Sequence, residues 1–161
     1  MEKNFNIDSQ RIWATGKAEG AGFVNVLACD FALSKRIAAF APVSGTYFVN
    51  TKTCDPEKVI MKCNAGRRKI PIIAFHGAQD EVAAFNGGES HGQCSPSIPQ
   101  FALNWAMRDN LGVETLVTQP RLDTTVTKYG KDLERGMVTL VVDKSIGNEW
   151  PVSNVIEFTL N

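Results

Sequence analysis

Short apolar runs alternate with amphipathic segments along the first half of the chain. Residues 11–15 (RIWAT) contain β-formers and stop at a glycine, and residues 18–29 have the apolar spacing of a helix. The apolar runs at 37–43 and 70–75 are typical of strands that are buried on both faces. This order of strand, helix and strand predicts an α/β fold with a mostly parallel sheet flanked by helices.

A helix and two further strands are predicted downstream. Ser95-Pro96 is expected to begin the helix, because the serine can accept from first-turn amides and the proline needs no donor there. Gly112 is expected to end it. Residues 124–129 and 137–143 alternate as strands do, and 152–161 predicts a short final helix. The apolar positions at helical spacing are Ile98, Phe101, Ala102 and Trp105.

The connections between these elements indicate where chemistry is expected. In open α/β sheets, sites lie beyond the carboxyl ends of the parallel strands. The connections at 16–20, 76–88 and 147–151 all follow such ends or lie close to one. The polar segment 46–69 contains two cysteines and is predicted to be a long excursion from the sheet.

Composition narrows the class of protein. The chain has 161 residues, 43% of them hydrophobic and 21% charged, which indicates one globular domain rather than a disordered segment. Seventeen basic residues balance seventeen acidic ones without a basic stripe, so no nucleic-acid partner is expected. No apolar run reaches the roughly 18 residues of a membrane span. The start, MEKNFNIDSQ, lacks a secretory-signal pattern and resembles the interior of a domain.

The cysteines leave two interpretations open. No CxxC pair is present and the chain has only two histidines, His76 and His91, so neither a metal site nor a metal cofactor is predicted. An even count permits two disulfides in three pairings, whereas buried free thiols would suit a reducing compartment. The cysteines are Cys29, Cys54, Cys63 and Cys94.

The turn at residues 15–20 carries the most specific chemical pattern. Gly16 and Gly20 lie two residues before and two after Ala18, which is the spacing of the G-x-S-x-G nucleophile elbow. Such an elbow holds its central residue in a strained turn, and the following helix directs its amides at the reacting oxygen. Ala18 has a methyl group where the elbow has a hydroxyl. The alternative is an ordinary strand-to-helix turn.

Longer blocks of sequence extend this pattern. The stretch from RIWATGKAEGAGFVNV to APVSGTYFV, together with IPIIAFHGAQD, CSPSIPQFALNWAMRDNLG and GNEWP, resembles fungal feruloyl esterases related to polyhydroxybutyrate depolymerases. The resemblance covers nearly the whole chain. It implies a secreted α/β-hydrolase that cleaves ferulate esters of plant cell-wall polysaccharide with a Ser-Asp-His triad and no cofactor.

The resemblance also assigns site positions. The nucleophile position falls on Ala18, the acid on Asp80 and the base on Asn148, and the amide of Glu19 is one oxyanion donor. Two of the three triad groups are therefore absent, because alanine has no hydroxyl and asparagine does not titrate near neutral pH. We expect a catalytically inactive, feruloyl esterase-like chain. The alternatives are a pseudoenzyme that binds ferulate or polysaccharide without cleaving it, and a decayed fragment with no function.

Further expectations follow from the same resemblance. Residues 1–161 would form a single incomplete domain that lacks the family's strands before the elbow, so the strand at 11–15 would expose one edge and favour self-association. Its partner would be feruloylated polysaccharide or a small aromatic ester, and its cysteines would be bridged. His76 is expected to be a structural histidine at a strand end, and His91 to be solvated. Ser44 is expected to be a turn residue rather than a substitute nucleophile.

Overall fold

A computed structural model describes residues 6–151 and contains a six-stranded mixed sheet in the order β1-β2-β3-β8-β7-β6. The first four of these strands are parallel to one another, whereas β7 and β6 are antiparallel additions at the far side. The strands are β1 (Trp13–Lys17), β2 (Ala39–Val43), β3 (Ile72–Gly77), β6 (Thr115–Arg121), β7 (Thr124–Tyr129) and β8 (Val138–Asp143). The predicted α/β class is confirmed.

The predicted strands are all present, but two are displaced toward the carboxyl end. The runs at 11–15 and 70–75 correspond to strands at 13–17 and 72–77. Pairing explains the shift, because Lys17 still pairs with Val43, and Gly77 still pairs with Asp143. The parallel ladder thus extends past the apolar run that identified each strand.

Strand β6 was not predicted. It is antiparallel to β7, which is itself antiparallel to β8, so the sheet is mixed. All its residues except Pro120 are exposed, so it shows no alternation of apolar and polar positions. It pairs with β7 alone, at the edge of the sheet. A proline is tolerated in such a strand because one side of it makes no ladder hydrogen bonds.

Two helices and their end residues organise the rest. They are α1 (Glu19–Cys29) and α3 (Ile98–Arg108), with a four-residue helix α2 (Leu33–Arg36), a 3₁₀ turn at Asp132–Glu134, and a small hairpin of β4 (Gly88–Ser90) and β5 (Gln93–Ser95).

The N-terminal cap that the sequence predicted for α3 was wrong. Ser97, not Ser95, accepts the first-turn amide, from Gln100 at 3.3 Å. The end was also misplaced, because Asn110, with φ 59°, closes the helix before Gly112. Leu111 N donates there to Ala106 O.

Both longer helices pack on one face of the sheet. Val24 of α1 and Trp105 of α3 join Phe40, Ile72 and Leu140 in a single buried cluster. These three strand residues share a face because strand side chains alternate. A smaller buried cluster on the opposite face is made only of strand residues: Val43, Phe75, Val126 and Val141.

Two disulfides hold the long excursion between β2 and β3. Cys29 at the end of α1 is bonded to Cys63, and Cys54 is bonded to Cys94 in β5. No cysteine is free, so the bridged interpretation is confirmed over the free-thiol one. These bonds tie the excursion to a helix on one side and to the small hairpin on the other.

Strand β1 forms one edge of the sheet. Within residues 6–151 it pairs only with β2, and Trp13 on it is 68% exposed. No helix within residues 6–151 is long and apolar enough to cross a bilayer. The helix predicted at 152–161 lies outside the described residues.

Candidate functional site

The strand β1 turns into helix α1 within a single residue. Ala18 adopts φ 52° and ψ −118°, and its amide donates to Val43 O at 3.0 Å. A β-carbon at Gly16 would lie 2.5 Å from Gly20 O, so the turn requires glycine at 16. A β-carbon at Gly20 would meet nothing within 4 Å, so a small residue is required on one side of Ala18 only. The turn is therefore sharp and strained, as the elbow pattern predicts.

Asp80 lies just beyond β3 and is held by its own loop. Its Oδ1 atom accepts from Val82 N at 3.0 Å and from Ala83 N at 2.7 Å. The side chain has no solvent exposure. A buried carboxylate needs such donors, and these two leave Oδ2 available to a partner from another loop.

That partner is Asn148, in the loop after β8. Asn148 Nδ2 donates to Asp80 Oδ2 at 2.8 Å, and Asn148 Oδ1 accepts from Lys17 Nζ at 2.6 Å. A carboxylate can only accept and an ammonium can only donate, which fixes the orientation of the amide between them. Lys17, Asn148 and Asp80 thus form one hydrogen-bonded bridge that joins the end of β1 to the loops after β8 and β3. The structure brings together Asp80, Asn148 and the residue next to Ala18.

His76 supports the Asp80 loop from inside. Its Nε2 atom donates to Ala83 O at 2.7 Å and lies 3.4 Å from Asp80 Oδ2. Burial lowers the pKa of His76, and the Ala83 carbonyl and the Asp80 carboxylate oppose this shift. The imidazole is therefore neutral near pH 7, with its proton on the nitrogen that faces Ala83. By contrast, His91 is exposed in the β4–β5 turn, where its Nδ1 atom lies 2.9 Å from Ser90 Oγ.

Ser44 shows a strain that its sequence does not reveal. It follows β2 with φ 46°, and it is only 1% exposed. Among the described residues its hydroxyl is buried without a hydrogen-bond partner. Together with His76 it lines a cavity of about 10 Å³. A hydroxyl so enclosed cannot reach an ester, which agrees with the expectation that Ser44 is not a substitute nucleophile.

A larger groove of about 880 Å³ runs beside the turn, between α1 and residues 46–64. The sequence does not reveal this groove, because one of its walls is the irregular excursion that two disulfides hold. Its lining residues include Glu19, Gly22, Asn25, Val26, Phe48 and Asn50. Within residues 6–151, no three His, Cys, Asp or Glu side chains come together as a metal site would require.

Comparison with known proteins shows what this chain is similar to. The fold matches that of an acetyl xylan esterase from Aspergillus awamori, with a TM-score of 0.62 and 17% sequence identity, over 97% of this chain and 61% of that one. At that identity the match shows the fold alone. No family model matches the chain.

Two curated relatives make the likeness more specific. The chain is 37% identical over 87 residues to feruloyl esterase B of Piromyces equi, and 30% identical over 82 residues to a bifunctional acetylxylan esterase/xylanase of Neocallimastix patriciarum. These stretches cover 52% and 51% of this chain but only 14% and 10% of the relatives. The chain is thus similar to fungal carbohydrate esterases, as its sequence blocks indicated, and it spans a small part of their length.

Proposed function

We propose that this chain is part of an α/β-hydrolase domain of the feruloyl and acetylxylan esterase kind, with a site that no longer cleaves esters. The proposed domain comprises the elbow strand and the strands that follow it. The order of the site positions supports this: Ala18 follows β1, Asp80 follows β3, and Asn148 follows β8. All three follow parallel strands at their carboxyl ends, where such sheets place their sites.

The hydrogen bond from Asn148 to Asp80 carries the proposal. In a serine esterase the carboxylate of the acid accepts a hydrogen bond from one imidazole N–H of the base. The other ring nitrogen takes the proton of the nucleophile. Asn148 makes the first of these contacts, at 2.8 Å. Its other polar atom is an amide oxygen, which already accepts from Lys17 and has no useful basicity. Asn148 thus makes the hydrogen bond to the acid that a base would make, but it cannot take up a proton.

The nucleophile is absent as well. Ala18 holds the backbone geometry of an elbow but presents a methyl group. Loss of the serine or the histidine of a triad costs roughly 10⁶ in kcat, and a second loss adds little because the groups act together. The amide of Glu19 belongs to the first turn of α1, where backbone N–H groups have no partner within the helix, and this supports its role as one oxyanion donor. One donor alone cannot compensate for a missing nucleophile.

The proposed substrate class is ester-substituted xylan, by analogy with the feruloyl esterase and the acetylxylan esterase/xylanase that the chain resembles. The two disulfides support an oxidising compartment and hence secretion. In the described part of the chain one side of β1 pairs with no other strand, which supports self-association. A second candidate function, binding of the polysaccharide without cleavage, is favoured by the groove beside the elbow, which begins at Glu19 and needs no triad.

The test is an ester assay on the purified chain, with methyl ferulate and an acetylated xylan oligosaccharide as substrates. We expect no turnover above a heat-inactivated sample. Turnover that disappears in an Asp80→Asn variant would show that the site is active and would overturn the proposal. Circular dichroism of both proteins controls for loss of fold.

A further inference from the structure

We propose that Lys17 and Asn148 form an intramolecular amide cross-link in the folded chain, with release of ammonia. Both side chains belong to the polar bridge with Asp80, but the reaction needs no ester substrate and is independent of the proposed function. Its product is a covalent bond between the end of β1 and the loop after β8, 131 residues apart in the sequence. The bridge is thus a modification site made of this chain's own residues.

The two reacting atoms are already close. Lys17 Nζ lies 2.6 Å from Asn148 Oδ1. A carbonyl bond is about 1.23 Å long, so such a contact at an angle of about 120° places Nζ about 3.4 Å from the amide carbon Cγ. Reacting atoms about 3–3.5 Å apart are in near-attack range. The lysine stem is flexible, so rotation about its bonds can bring Nζ above the amide plane, where an amine attacks.

The amide is held in place while the amine approaches it. Asn148 Nδ2 donates to Asp80 Oδ2 at 2.8 Å, and the Asp80 side chain has no solvent exposure. Asp80 is fixed in turn by the backbone amides of Val82 and Ala83. An amide is a poor electrophile, so positioning has to supply most of the acceleration. Well-oriented intramolecular reactions reach effective concentrations of about 10⁵–10⁸ M.

The bond changes balance without an external reactant. The neutral amine of Lys17 adds to Cγ of Asn148, which forms the bond between Nζ and Cγ. The bond between Cγ and Nδ2 then breaks, and Nδ2 leaves as ammonia together with the proton that Nζ gives up. Asp80 Oδ2 is in hydrogen-bond contact with Nδ2, so it is placed to carry that proton to the leaving nitrogen. Nothing is oxidised or reduced.

The cross-link should accumulate slowly after folding. Only a neutral amine can attack a carbonyl carbon, and lysine side chains are mostly charged near neutral pH. The freshly purified chain therefore holds Lys17 and Asn148 as hydrogen-bonded partners. The covalent bond forms on ageing, and faster in alkaline solution.

The test is mass spectrometry of the purified full chain before and after incubation at neutral and at alkaline pH. We expect a species that is lighter by one ammonia. After reduction and tryptic digestion, residues 12–35, uncleaved at Lys17, should be joined to residues 145–161. On a reducing, denaturing gel this species should run ahead of the linear chain, because a loop of 131 residues stays closed.

Variants of the bridge identify the reacting groups. Lys17→Arg and Asn148→Asp each remove one of them but keep a polar side chain, and neither should yield the joined peptide. Asp80→Asn should slow the reaction about 100-fold, which is a typical effect of losing a general acid–base group. Lys52→Arg, at an exposed lysine outside the bridge, is the matched control and should react as the unmodified chain does. Circular dichroism verifies the fold of each variant.

The reaction should also require the fold, so the reduced chain in urea should yield no joined peptide. Three other outcomes would overturn the proposal. The first is a folded chain that keeps its full mass after prolonged incubation at both pH values. The second is an equal loss of ammonia in Lys17→Arg, which would identify a cyclic imide at an asparagine instead. The third is a joined peptide that forms as fast in urea, or in folded Asp80→Asn, as in the folded unmodified chain.

Discussion

Replacing Asn148 with alanine tests the polar bridge at the site. The substitution removes the Nδ2 donor that lies 2.8 Å from Asp80 Oδ2. Because the Asp80 side chain has no solvent exposure, the freed oxygen cannot recover the bond from bulk water. Two of its donors remain, from Val82 and Ala83, and both serve Oδ1.

The expected cost follows from the charge on the acceptor. A hydrogen bond to a charged group contributes about 1.5–3 kcal/mol when one partner is truncated. Lys17 also loses its partner, but its side chain is only half-buried, so that loss adds at most about 1 kcal/mol. We therefore expect Asn148→Ala to reduce the free energy of unfolding by about 2–3 kcal/mol. For a domain of this size, that lowers Tm by roughly 4–12 °C.

Thermal and urea unfolding, followed by circular dichroism, measure this effect. Asn148→His should retain at least half of the free energy of unfolding that Asn148→Ala loses, because an imidazole N–H can replace the amide donor. Lys17→Met should cost less than about 1 kcal/mol, and Asn86→Ala, at an exposed position, should change the free energy of unfolding by less than about 0.5 kcal/mol. The reasoning about the buried carboxylate is wrong if Asn148→Ala is as stable as the unmodified chain. It is also wrong if Lys17→Met lowers the free energy of unfolding by more than Asn148→Ala does.

Three other properties can be measured on the same protein. Since burial lowers the pKa of His76 below its ordinary value near 6.5, the unfolded chain binds more protons than the folded one below that pH, so stability should fall as the pH drops from 7 toward 5. A His76→Gln variant should lose this dependence in urea titrations, and an unchanged slope would contradict it. The two disulfides close loops of 34 and 40 residues, so each should contribute about 4 kcal/mol to the free energy of unfolding. Each should therefore lower Tm by at least about 8 °C when it is removed, in the double variants Cys29→Ser/Cys63→Ser and Cys54→Ser/Cys94→Ser. A smaller loss would show that the excursion is held by other contacts. Trp13→Lys, which places a charge on the exposed edge strand β1, should reduce concentration-dependent association in size-exclusion chromatography. Association that this substitution leaves unchanged would show that the edge is not the cause, and a monomeric unmodified chain would contradict the proposed self-association.

The sequence predicted the parallel half of the sheet because burial leaves a strong pattern. Strands β2 and β3 are apolar runs, since helices cover one of their faces and the sheet extends on both sides. Strand β6 left no pattern, because nearly every residue on it is exposed. Its identity as a strand depends on pairing with β7, and pairing is a tertiary interaction that composition does not record.

The site was predictable where chemistry constrains the local sequence. Glycine is required at 16 because a β-carbon there would lie 2.5 Å from Gly20 O, and that requirement marks the turn in the sequence. The bridge through Lys17 was not predictable, because a lysine near a turn is usually solvated and its partner lies 131 residues away. The groove was equally hidden, since disulfide pairing, which places its outer wall, cannot be deduced from cysteine spacing.

Ester turnover by a completed and repaired domain tests the central claim most directly. The chain would be fused to the part of the Aspergillus awamori acetyl xylan esterase that its fold does not match, with and without Ala18→Ser and Asn148→His. We predict that the doubly substituted fusion hydrolyses acetylated or feruloylated substrates, that each single substitution stays near background, and that Asp80→Ala abolishes the recovered activity. A folded double variant that remains inactive, or an unsubstituted fusion that is equally active, would contradict the assignment of Ala18, Asp80 and Asn148 to the positions of nucleophile, acid and base.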